Sequence, residues 1–121
     1  MSMEVPGFTL FHDFEGVNYY GYIPEPPLEL TPQVEHYSME PSDEDLLNKD
    51  FIDPVDELCG ALLDIGDIDF LNARQCRLLA AWLKTRLMQD SLNPRLRTIY
   101  TILLDYAQRA IDYGTGVVIE L

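Results

Sequence analysis

The residue types that most often do chemistry are few in this chain, and their spacing suits no familiar site. There are two histidines, His12 and His36, and two cysteines, Cys59 and Cys76. A Cys–His or Ser–His pair needs only to meet in space to make an activated nucleophile. Neither histidine has a motif around it such as a strained Gly-x-Ser-x-Gly turn. His12 alternates with Phe8, Leu10 and Phe14, the pattern of a half-buried, hydrogen-bonded strand residue. His36 follows a proline-rich stretch and reads as a loop residue. The cysteines show no Cys-x-x-Cys spacing and no histidine pair, so zinc has little support and small core residues in a reducing compartment fit better. Asp64, Asp67 and Asp69 lack the alternating start and distant glutamate of a calcium loop and read as turn acids. Gly114-Thr115-Gly116 precedes a strand, whereas a phosphate-binding loop follows one. Carboxylate pairs are so abundant that no single pair points to a glycosidase, which also needs a larger cleft. The expectation is a non-enzyme with no catalytic residue, metal or cofactor.

The distinctive chemistry is charge. The 121 residues carry 8 basic and 21 acidic side chains, a net −13. The split is uneven: residues 1–69 hold 17 acids against Lys49 alone, and residues 70–121 hold 4 acids against 7 bases. This balance argues against a broad basic face for direct binding to nucleic acid or to an anionic membrane. No apolar run reaches the ~18 residues a membrane span needs, and the first 20 residues show no secretory pattern. A cytoplasmic protein is expected. The length predicts one domain over 1–121, since neither half buries a sizeable core alone.

The elements that must position these charges read as α+β. Residues 8–14 alternate, residues 17–23 are rich in β-formers, and Glu15-Gly16 lies between them, so a β-hairpin is predicted within 1–23. Residues 24–52 read as an acidic, proline-rich surface loop, with Ser42 and the acids after it allowing a short helix over 43–49. Residues 53–113 read as about three helices, counted from cap signals. Asp53-Pro54 and Asn93-Pro94 are cap-plus-proline starts, and Asn72 with Gln75 has capping-box spacing. The first of these helices carries Val55, Leu58, Cys59, Leu62 and Leu63 at core spacing, and Gly114 is placed to end the last. Residues 116–121 form a terminal strand that joins the hairpin in a small antiparallel or mixed sheet of about three strands, packed on the helices.

The surface that remains mixes rings and acids. In the second strand Tyr20 and Tyr22 share the face opposite Val17, Tyr19 and Ile23, so one set points outward. Tyrosine gives large contact area at low entropic cost, and surrounding acid steers a basic partner. The candidate contacts are Tyr20, Tyr22, Glu25, Glu29, Glu35, Tyr37, Asp43, Glu44 and Asp45. Arg74, Arg77 and Lys84 share one helix face, read as solvated, the alternative being an internal partner for the acids. The functional expectation is an acidic inhibitor of a basic protein, for example a bacterial immunity protein (antitoxin) that occludes a toxin such as a nuclease. The alternatives are a DNA mimic of anti-restriction type that blocks a DNA-binding protein, or a non-enzymatic adaptor.

Overall fold

In a computed structural model that describes residues 6–27 and 31–121, the alternation of residues 8–11 has a purpose on both sides of the strand. Strand β1 (Gly7–Phe11) buries every residue. Phe8 and Leu10 enter one apolar cluster and Phe11 enters another. Such a strand needs ladder partners at both edges and cover on both faces.

The edges are taken by distant segments. β1 pairs antiparallel with β4 (Val34–Ser38) and with β6 (Gly116–Glu120), and β6 pairs antiparallel with β5 (Ile68–Asn72). The sheet order is β4-β1-β6-β5. The α+β class and the antiparallel sheet with a terminal strand are as the sequence predicts. The hairpin pairing is not. Residues 17–23 do not pair with β1; they supply β2 (Tyr19–Tyr20), which pairs only with β3 (Ile23–Pro24). With both edges of β1 filled, this aromatic run serves as cover. Phe14, Val17 and Ile23 pack with Phe11, Val34, Phe70 and Val118 on the outer sheet face. β4 lies inside the stretch expected to be loop, and β5 is a strand the sequence did not announce.

The inner face is covered by helices α1 (Asp43–Asp50), α2 (Ile52–Cys59), α3 (Ala73–Leu87) and α4 (Pro94–Tyr113). The Asn72–Gln75 capping box forms, with the Asn72 side chain accepting the Gln75 N–H at 2.9 Å. Asn93 caps α4 ahead of Pro94, and Gly114 closes it in the left-handed conformation. Two local expectations fail. Ser42 makes no side-chain cap; Asp43 instead accepts the Glu40 N–H at 2.9 Å. Asp53 is not a cap either, because α2 starts at Ile52 and follows α1 through Phe51 alone. α2 also stops at Cys59, so Leu62 lies beyond it and is exposed rather than in the core, as is Leu58. Inside, Phe51, Trp82 and Tyr100 pack ring against ring, with centroids 5.5 to 5.9 Å apart. Gly116 permits the close approach of β5: a Cβ there would strike the Leu71 carbonyl and the Phe70 ring.

Candidate functional site

The most exposed aromatic side chains stand on the β2–β3 ribbon. Two residues, Gly21 and Tyr22, connect its strands, with Tyr20 opposite Ile23. Gly21 has φ +63° in the first central position, as a tight type II′ turn requires, and no Cβ is in the way. Ile23 is buried beneath the ribbon, while Tyr19, Tyr20 and Tyr22 are 50%, 75% and 58% exposed. The faces therefore do not segregate as expected: Tyr19 is outward together with Tyr20 and Tyr22. Tyr19 packs on Phe14, whose chain neighbours Asp13 and Glu15 are exposed, with centroids 6.2 Å apart. Glu25 is exposed at the ribbon base, its N–H bonded to the Asn18 carbonyl at 2.8 Å.

The nine expected contact residues do not gather on one surface. Tyr20, Tyr22 and Glu25 belong to the ribbon. Glu29 lies outside the described residues. Glu35 and Tyr37 lie on β4, where alternation turns both toward the helices. Tyr37 is half-buried against Phe8 and is reached by Arg95 at 3.2 Å. The Glu35 carboxylate is clamped by both terminal nitrogens of Arg109, one at 3.0 Å, and touches His12 Nε2 at 2.6 Å. Asp43 is only 1% exposed and receives Arg95 Nε and Nη2, each at 2.8 Å. Arg109 holds the Glu35 carboxyl below the ordinary carboxylate range, and Arg95 does the same for Asp43. Both acids are thus held by arginines of the same chain, Asp43 buried and Glu35 about one third exposed. Glu44 is half-buried and Asp45 is exposed, both on α1.

Arginines of the C-terminal half thus neutralise part of the N-terminal charge. The third such pair is Arg86 with Asp50, and Asp50 also accepts the buried Tyr100 hydroxyl at 2.6 Å. Arg74, Arg77 and Lys84 are not these arginines: all three are exposed and have no partner among the described residues.

Two further clusters form between segments distant in the chain. One is His12–Glu35–Arg109, with the His12 ring 5.0 Å from Tyr113, beside a shallow cleft of about 470 Å³ lined by His12, Asp13, Glu15, Thr31, Pro32 and Gln33. His12 is half-buried and hydrogen-bonded, as expected. His36 is a strand residue, not a loop residue; its Nδ1 meets the Thr9 hydroxyl at 2.8 Å, and burial pushes its pKa down. The other cluster is Asp69, 2% exposed, which accepts the Tyr22 hydroxyl and the Leu62 N–H, the latter at 2.8 Å. Neither cluster has a local signal in the sequence: adjacent Glu35 and His36 break the apolar–polar alternation of Val34–Ser38. Both cysteine thiols are free and buried. Among the described residues no group of three or more His, Cys, Asp or Glu side chains is placed to hold a metal ion. No described helix is long and apolar enough to cross a membrane.

No protein-family model, curated protein or solved structure matches this chain.

Proposed function

We propose that this chain is a non-enzymatic binding protein that docks onto a basic protein in the cytoplasm, in the manner of an immunity protein neutralising a toxin such as a nuclease. The observation that carries the reading is the β2–β3 ribbon: three exposed tyrosines on a tight turn, anchored by Ile23, with exposed Glu25 at its base, Asp13 and Glu15 flanking the Phe14 on which Tyr19 packs, and none of these three acids in an ion pair among the described residues. Rings held in this way lose little freedom on binding, and unneutralised acid raises the encounter rate with a cationic surface. Inhibition then follows from steric and electrostatic cover of a phosphate-binding cleft, with no bond made or broken.

One observation favours the DNA-mimic alternative. Asp45, Asp53 and Glu57 stand on helices α1 and α2, which fix their spacing, and not in irregular chain. Competition separates the two: a mimic is displaced by duplex DNA from several unrelated DNA-binding proteins, and an inhibitor of one partner is not.

The direct test uses a basic protein encoded beside this chain. Co-expression restores growth, the two proteins co-purify, and their affinity falls as salt rises. Tyr20→Ala with Tyr22→Ala weakens binding by about 2 kcal/mol or more, roughly 30-fold in Kd. Full affinity in that double variant removes the ribbon from the interface.

A further inference from the structure

The loop between α2 and β5 is built on carboxylates. Asp56 accepts the Leu63 N–H at 2.7 Å, and Asp64 accepts the Ile65 N–H at 2.8 Å. Asp69 does more, because its two oxygens hold two different segments. Oδ2 takes the Leu62 N–H, and Oδ1 takes the Tyr22 hydroxyl from 47 residues away. One buried carboxylate therefore ties the turn of the tyrosine ribbon to the loop. It holds the Tyr22 side chain by its hydroxyl and Leu62 by its backbone, and both residues face water, Leu62 at 74% exposed.

The surroundings of this pair are acidic throughout. Residues 51–73 contain six acids and no Lys, Arg or His. Desolvation first, then repulsion from Asp69, Asp53 and Asp64, pushes the Asp56 pKa up, so these carboxylates lie close enough to oppose one another. An apolar centre with an acidic rim is complementary to an apolar side chain in a basic setting. Pairing of this patch with its own copy would set like charge against like charge.

We propose that Tyr22 and Leu62, joined through Asp69, are the centre of a docking surface for a partner segment that presents an apolar side chain flanked by lysines or arginines. The inference rests on the protein-binding reading above and narrows the partner from a basic surface to an amphipathic one. Asp69 is a positioning residue in this arrangement.

Two synthetic peptides of equal length and charge test it, one made of Leu and Lys and one with every Leu replaced by Gln. Each is titrated calorimetrically into the full chain. The Leu/Lys peptide binds at least tenfold more tightly, and Leu62→Ser abolishes that advantage while leaving the Gln/Lys peptide unaffected. Equal binding of both peptides, indifferent to Leu62→Ser, overturns the apolar centre and leaves docking to a basic protein standing. Binding of neither peptide at low salt defeats both readings. A wild-type dimer that Leu62→Ser makes monomeric assigns the patch to a second copy and overturns the proposal.

The role of Asp69 has its own spectroscopic readout. Its hydrogen bond pushes the Tyr22 pKa up to about 12. Asp69→Asn brings that phenol back toward its ordinary value and lowers Leu/Lys affinity severalfold. Tyr22→Phe, which keeps the ring and deletes only the hydroxyl, gives the same loss of affinity if Asp69→Asn does not fold. Unchanged affinity in Tyr22→Phe ends the positioning role.

Discussion

Two regions of this molecule use carboxylates in opposite ways. Between β4, α1 and the helices, Glu35, Asp43 and Asp50 each meet an arginine of the C-terminal half. Around the tyrosine ribbon and the α2–β5 loop, carboxylates meet backbone N–H groups, a phenol and one another, with no arginine among their hydrogen-bond partners. The first region spends its charge on holding the fold. In the second, Asp13, Glu15, Glu25 and Asp64 stay exposed, with no arginine paired to them among the described residues. Net charge alone therefore says little about what a partner meets; the position of each arginine along α3 and α4 decides which acids remain available.

The comparison breaks most severely at Asp50. Asp50→Ala strands the buried Tyr100 hydroxyl and releases Arg86, a loss of about 2 kcal/mol in urea unfolding. In a Tyr100→Phe background the same substitution costs less, because no hydroxyl is left unpaired. A full loss in both backgrounds contradicts this account of the site.

Acid separates the regions next. Glu35 and Asp43 have folded-state pKa values below their ordinary 4.5 and 3.8. The unfolded chain binds these protons more readily, so both pairs stabilise the fold above the ordinary carboxylate range and lose that contribution as pH falls through it. The urea midpoint therefore drops between about pH 5 and about pH 3, and Asp43→Asn flattens the drop. A midpoint that ignores pH in that window refutes the pairing.

Asp56 gives the smallest effect, and its sign is reversed. Its pKa is raised above 3.8, chiefly by burial, so its charge is a net cost at neutral pH that protonation relieves. Asp56→Asn retains an acceptor for the Leu63 N–H and raises stability by about 0.5 kcal/mol or less at pH 7. The gain disappears in acid, where the wild-type carboxyl is already neutral. A destabilised Asp56→Asn would place that carboxylate with the arginine-paired set.

What the sequence revealed follows the range of each interaction. The Asn72–Gln75 box, the Asn93-Pro94 start and the Gly114 cap are chemistry between residues a few positions apart, and each forms as read. Strand pairing is not local. Residues 17–23 have the composition of a ladder strand, but the same residues serve equally as cover for Phe11 and Val118, and only the filled edges of β1 decide between the two. β4 was hidden because Glu35 and His36 disguise its alternation. The function of an acid is hidden for the same reason. Glu35 meets Arg109 across 74 positions, and nothing within either segment marks the pair. The exposed tyrosines are legible as a type of surface, whereas the apolar spacing through Leu62 predicts a core helix one turn longer than the one that forms, which ends at Cys59.

β6 is the single seam of the sheet. Among the described residues the β4–β1 pair and β5 join in the sheet only through it, and the Thr115 hydroxyl beside it bonds the Phe11 carbonyl across 104 residues. Closing so long a loop is entropically expensive, whereas α3 and α4 are joined by a short turn. The expected outcome is that Val118→Ala slows refolding in proportion to how far the seam has formed at the barrier, as read from stopped-flow refolding rates.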